Sequence, residues 1–200
     1  MPIEVDAAER LDRIAEATLQ VAERDGPGAV TIRAVAAELG GTSAMVTNYL
    51  RTRADLLLNA VRYEQRAWDE QTRQCLAAAG DDPRARLDAL IRWSTSTLLH
   101  DKAVRQIWMD LVSSAPEAGA SELLREDAAA HHERFRELVD DLGAANPGLL
   151  ADALYLAIRG FYFTTTEDPE SWPSERAGQA ILAIAGAMLA TGPSKASPSF

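Results

Sequence analysis

Within this chain of 200 residues, the window from Thr31 to Arg53 most constrains the fold. Thr31 suits an N-cap, because its hydroxyl can accept from a free amide of a helix's first turn. Val35, Ala36 and Leu39 then fall on one helical face. Gly40 follows, and glycine ends a helix in the left-handed conformation at little cost. Ser43 can cap a second helix, which carries Val46, Tyr49 and Leu50 inward. The spacing meets three steric demands. Ala36 is small where the helices would cross, Gly40 serves the turn, and β-branched Val46 packs the second helix on the first. This pattern is a helix-turn-helix, a unit that can set its second helix in the major groove of DNA. A hairpin inside an ordinary helical bundle uses the same turn glycine, so the flanks decide between the two.

Before the window, Leu11, Ile14, Ala15, Thr18, Val21 and Ala22 share a face, and Asp25 to Gly28 end that helix. After it, a further helix begins near Thr52, with Asp55 early and Leu56, Leu57, Ala60 and Val61 following. With these flanks, roughly residues 8 to 62 resemble the amino-terminal domain of the TetR family of bacterial transcriptional repressors. The carriers are the block AERDGPGAVTIRAVAAELG and then VTNYLRTRADLLLNAV. Two positions depart from the family pattern. Gly41 stands where an apolar residue is usual, and Thr47 where an aromatic is frequent. The resemblance implies an all-α fold of about nine helices. It would have a three-helix DNA-binding domain over 1–53, a ligand-binding and dimerisation domain over 54–190, and a tail over 191–200 that is expected to be disordered.

Composition agrees with a helical globular chain. At 47% hydrophobic it can bury a sizeable core, and no window reaches about 18 uninterrupted apolar residues. The polar, acidic start does not read as a signal peptide. The lone Cys75 excludes an internal disulfide framework and suits a reducing compartment, so a cytoplasmic location is expected. A net charge of -10 runs against DNA binding, since phosphates attract Lys and Arg. The distribution resolves part of the conflict. From Thr31 to Arg53 there are Arg33, Arg51 and Arg53 against Glu38, a local +2, which leaves -12 for the rest. A basic reading head on an acidic body can bind DNA while the body is held away.

Beyond residue 62, Gly, Pro and Asx turn formers divide the chain into six helices, near 53–79, 84–99, 102–114, 120–142, 148–166 and 174–190. No catalytic constellation emerges, so the chain is not expected to be an enzyme, and neither cofactor nor metal is expected. Asp127 and His131, four apart, offer two metal ligands, which is too few. Gly26-Pro27-Gly28 lacks the lysine and preceding strand of a phosphate loop. The central helices do carry aromatics with a few polar groups, the material of a small-molecule site. The resemblance places an effector pocket there. The candidates are Trp93, Thr97, His100, Trp108, Met109, Phe135, Tyr155, Arg159 and Tyr162. Arg159 lies on an otherwise apolar face and needs an acid or an anionic ligand.

The last two helices carry broad apolar faces, and the final one is apolar almost all round, more than a surface helix needs. Their apolar residues are candidates for a dimer interface: Leu154, Ile158, Phe161, Ile181, Ile184, Ala185 and Met188, with Gly178 and Gly186 permitting close approach. The resemblance also puts a four-helix dimer bundle here. The expected function is a ligand-responsive transcriptional regulator, a homodimeric repressor released from double-stranded operator DNA by an unidentified small molecule, with no membrane partner. The rival is a helical enzyme or small-molecule carrier whose helix-turn-helix is only structural. In the DNA-binding reading the recognition helix runs from Ser43 to Tyr49. Thr42, Ser43, Ala44, Met45, Thr47 and Asn48 face the groove, the Asn48 amide matching an adenine edge. Thr31, Arg33, Tyr49, Arg51 and Arg53 would hold phosphates and set the register.

Overall fold

The computed structural model describes residues 7–96, 102–113 and 118–190. Among these the chain is all-helical, with nine α-helices and one 3-10 turn. The helices are α1 (Ala7–Asp25), α2 (Ile32–Glu38), α3 (Ser43–Thr47), α4 (Arg53–Ala78), α5 (Pro83–Ser96), α6 (Lys102–Ser113), α7 (Ala118–Asp140), α8 (Pro147–Glu167) and α9 (Ser174–Ala190). The 3-10 turn, Pro27–Ala29, lies between α1 and α2. The helix starts and stops agree with the sequence expectation to within a few residues. The chain forms two compact units, Met1–Gln71 with Leu99–Glu126, and Thr72–Leu98 with Asp127–Phe200. These packing units cut across the chain order: α6 packs with α1 and the 3-10 turn in the first unit, whereas α5, which precedes it in the chain, belongs to the second.

The first unit is built around the amphipathic face of α1. Ile14, Ala15, Thr18, Val21 and Ala22 are buried at helical spacing, and the Thr18 hydroxyl donates to the Ile14 carbonyl at 2.7 Å, so burying it leaves no orphan. Each fully buried Ile or Val contributes about 1.5–3 kcal/mol through removal from water. Gly26, at φ +84, stops the helix in a conformation that side-chain-bearing residues rarely adopt. Val30, Val35, Ala36 and Val46 join this core, as do Leu56, Leu57, Ala60 and Val61 of α4 and Ile107 and Leu111 of α6. Polar ties hold α1 to α4. The Asn59 amide donates to the Leu11 carbonyl at 2.7 Å, the Tyr63 hydroxyl donates to Glu16 at 2.7 Å, and Arg66 pairs with Asp12. The hydrogen bond to Glu16 pushes the Tyr63 pKa up to about 12.

The second unit packs α5, α8 and α9 together, with Phe135, Leu138 and Val139 of α7 in the same core. Asn146 caps α8, its Oδ1 accepting from the Leu149 amide at 3.0 Å, and Pro147 occupies the first turn, where its missing N–H costs nothing. The expected dimer residues fall mostly inside this unit. Leu154, Ile158, Phe161, Ile181 and Ala185 are buried in its core, and Met188 is half-buried against it. Of the seven, Ile184 alone is exposed. The glycines serve the same packing. A Cβ on Gly178 would meet the Thr95 hydroxyl of α5, and one on Gly186 would lie 3.8 Å from Arg84. The apolar excess of α8 and α9 is thus divided, with one face used by α5 and by each other and a second face left outward.

Candidate nucleic-acid interface

The helix-turn-helix closes as its spacing requires. The Thr31 hydroxyl accepts from the Ala34 amide at 3.1 Å and starts α2, as expected of an N-cap. Gly40, at φ +64, takes the left-handed turn position. The Gly41 amide donates to the Ala36 carbonyl at 2.9 Å, a bond that wraps the chain back over the end of α2. Ser43 does not cap α3. It is the first helical residue, and Thr42 stands at the cap without a side-chain hydrogen bond. The helix is also shorter than expected, ending at Thr47 with Asn48 as its C-cap. Val46 is fully buried and fixes the rotation of α3 about its axis.

That rotation decides which side chains face outward. Thr42, Ser43, Ala44 and Asn48 are exposed, as a groove-reading surface needs. Thr47 is half-buried, and its hydroxyl donates back to the Ala44 carbonyl at 3.4 Å. Met45, expected to face the groove, is half-buried instead. It folds back over Gly41, whose Cβ, if present, would collide with the Met45 methyl. The Met45 sulfur also accepts a hydrogen bond at 3.7 Å from Arg10 of α1, a neighbour 35 residues away that no local pattern points to.

The expected phosphate ligands separate into two groups. Thr31, Arg33, Tyr49 and Arg51 are exposed around α2 and α3. Arg53 is held elsewhere. Its guanidinium donates to the Pro27 carbonyl at 2.8 Å and pairs with Asp110 of α6 at 2.8 Å. It therefore ties α4 to the α1–α2 connection and to α6. The start of α4 is a capping box. Asp55 accepts from the amides of Arg51 and Thr52 at 3.0 and 2.8 Å, while the Thr52 hydroxyl accepts from the Asp55 amide at 3.0 Å. This fixes the path between α3 and α4.

The expected effector residues are spread over both units. Trp108 is half-buried against the first unit's core, and Met109, also on α6, is exposed. Trp93, Tyr155 and Tyr162 pack against the second unit's core, and Phe135 is fully buried within it. Thr97 and His100 lie outside the described residues. Among the described ones, α7 and α8 gather Phe135, Tyr155 and Arg159. Arg159 lies 3.9 Å from Asp127 and 5.9 Å above the Tyr155 ring, so it has the acid partner its surroundings demand.

His131, which the sequence offers only as one of two metal ligands, and its neighbour His132 complete this cluster. His131 stacks against Phe135 and edge-on to Tyr155 at ring-centroid distances of 5.5 and 5.7 Å. Burial, then the positive charges of Arg159 and Arg134, lower its pKa to about 4. It is neutral at pH 7. His132 Nε2 lies 2.7 Å from Asp152 Oδ1 and links α7 to α8. The second unit also has an open cleft of about 310 Å³ lined by Leu76, Asp81, Pro83, Arg86, Arg134, Glu137, Leu138 and Asp141, none of them an expected effector residue. Among the described residues, no group of three or more His, Cys, Asp or Glu could hold a metal. No helix there is long and apolar enough to cross a membrane.

No protein-family model and no curated protein matches the chain. Solved structures do. The fold is similar to a TetR transcription regulator from Haloarcula marismortui at TM-score 0.75 and 20% identity, covering 90% of this chain and 98% of that one. It is similar to NalD, the secondary repressor of the MexAB-OprM multidrug efflux pump in Pseudomonas aeruginosa, at TM-score 0.67 and 18% identity, covering 92% and 96%. It is also similar to SmeT in its complex with triclosan, at TM-score 0.69 and 18% identity, covering 96% and 99%. The chain has a TetR-like fold over nearly its whole length.

Proposed function

We propose that this protein is a DNA-binding transcriptional regulator, a repressor that a small molecule releases from its operator. The observation that carries the reading is the reading surface of α3. Thr42, Ser43, Ala44 and Asn48 are exposed on a helix whose rotation is fixed by buried Val46, and exposed Arg33 and Arg51 flank it. A helix-turn-helix used only for packing has no reason to present polar groups outward between two exposed arginines. The TetR-like fold supports the same reading, since NalD with this fold is a repressor and SmeT binds a small molecule. In this reading Asn48 reads a base edge, while Thr31, Arg33, Tyr49 and Arg51 position the head on the backbone.

The functional form is a homodimer, because two half-sites about 34–36 Å apart need a two-fold reader. The outward stripe of α8 and α9 is the surface offered to the second copy. Leu149, Leu156 and Phe163, seven residues apart along α8, are 55%, 66% and 48% exposed, and Ile184 of α9 is 41% exposed. Ala153 and Gly160 fall in the same stripe and allow close approach of a second helix pair. The effector is expected in the second unit, where Trp93 of α5 and Tyr155, Arg159 and Tyr162 of α8 lie.

The test is fluorescence anisotropy with labelled duplexes from both sides of the protein's own gene. One fragment should bind far more tightly than a scrambled duplex of equal length. A compound that quenches Trp93 or Trp108 fluorescence should then release it. Equal affinity for all fragments and the scrambled control would overturn the regulator reading and favour a helical enzyme or carrier.

A further inference from the structure

We propose that Arg10 contacts the DNA backbone and that Met45 positions it, rather than reading a base. The inference rests on the DNA-binding reading and adds to it a residue far outside the helix-turn-helix. Three other arginines of the first unit already have acid partners: Arg24 with Asp25 and Glu38, Arg53 with Asp110, and Arg66 with Asp12. Among the described residues, the Arg10 guanidinium has one hydrogen-bond partner, the Met45 sulfur at 3.7 Å, and no carboxylate. A thioether is a weak acceptor and leaves the charge uncompensated. Arg10 as a residue is half-buried. A phosphate oxygen arriving beside α3 supplies the anion and the charge-assisted hydrogen bonds that the site lacks.

Met45 holds this arrangement because position 41 is glycine. A Cβ at Gly41 would fall 2.2 Å from the Met45 methyl carbon and 3.1 Å from its sulfur, so the Met45 side chain fills the space a residue at position 41 would take. A side chain folded back over the turn cannot at the same time extend to a thymine methyl. Met45 is thus a positioning residue. Its unbranched, polarisable chain fills the irregular gap and brings its sulfur to the Arg10 guanidinium.

The experiment measures the salt dependence of operator affinity. Arg10→Ala should weaken binding evenly across operator variants and flatten the log–log salt slope by roughly one unit. Arg10→Lys, which keeps the charge, should keep the slope. Met45→Ala and Gly41→Ala should both weaken binding without changing base preference, and Met45→Leu should preserve it. The Met45 methyl resonance of the free protein reports packing without DNA. It should shift in Gly41→Ala while cooperative thermal unfolding persists. An unchanged slope in Arg10→Ala, or an altered base preference in Met45→Ala, would overturn the inference. An unmoved Met45 resonance in Gly41→Ala would do the same. Failure of the wild type to prefer any duplex would instead overturn the regulator reading itself.

Discussion

The Thr95 hydroxyl lies 2.9 Å from where a Cβ on Gly178 would stand. The two helices that carry them, α5 and α9, pack at this point only because position 178 has no side chain. The hydroxyl cannot swing aside freely, since it also donates to the carbonyls of Ile91 at 3.0 Å and Arg92 at 3.1 Å. Gly178→Ala should therefore destabilise the protein by about 1–3 kcal/mol, the usual range for overpacking a well-filled core, despite the better helix propensity of alanine. Thr95→Ala in the same chain should recover most of the loss. Urea unfolding of the two single variants and the double variant checks this, and additive losses would show that the contact does not limit the packing.

Arg53 should prove a structural tie. Its ion pair with Asp110 is about one-third exposed, so screening leaves it roughly 0–1 kcal/mol, and the hydrogen bond to the Pro27 carbonyl adds about 1 kcal/mol. Arg53→Ala should lower unfolding stability by about 1–2 kcal/mol, and Asp110→Asn by less. The salt slope of DNA binding should stay at the wild-type value in both. A slope reduced by one unit in Arg53→Ala would return Arg53 to the phosphate ligands.

His131 predicts an acid-sensitive second unit. Its pKa is lowered to about 4 in the folded chain, against about 6.5 when unfolded. The unfolded state therefore binds more protons between these values, and stability falls as pH drops from about 6.5 towards 4. The loss is bounded at about 3 kcal/mol for this one group. His131→Phe keeps the ring contacts with Phe135 and Tyr155 but cannot titrate, so its stability should depend less on pH over that window. Denaturant melts at pH 7 and pH 4.5 compare the two chains, and parallel losses would assign the acid sensitivity to other groups.

The outward stripe predicts the site of self-association. Leu156→Glu with Ile184→Glu places charges on two exposed residues, so the monomer core is spared. Light scattering at micromolar concentration should give twice 21.6 kDa for the wild type and 21.6 kDa for the variant. Helix content should be unchanged, and operator binding should be lost because a single head cannot span both half-sites. A wild-type mass of one chain would remove the dimer from the functional reading.

Much of the helical plan was legible because it is written in local chemistry. The Thr31 cap, the Gly40 turn, buried Val46 and the alternation of Gly, Pro and Asx breaks each act over a few residues. The reading surface was legible in part. Thr42, Ser43, Ala44 and Asn48 are exposed as expected, whereas Met45 and Arg53 are not free, because their partners are remote in sequence. Arg10 lies 35 residues before Met45, and Asp110 lies 57 after Arg53.

The sequence by itself determined the helices, their ends and the helix-turn-helix, since hydrogen bonds between near neighbours and a 3.6-residue apolar period decide these. Only the tertiary structure decided how each apolar face is used. The face of α8 and α9 looked uniform in the sequence, yet Leu154, Ile158 and Phe161 meet the core while Leu149, Leu156 and Phe163 point away from it. Hydrophobicity is non-directional and records that a residue will leave water. Which neighbour covers it depends on where α5 and α7 pack. The same reason holds for charge. An arginine in the sequence is a cation without an address, and the fold gave Arg53 an aspartate while leaving Arg10 with a thioether.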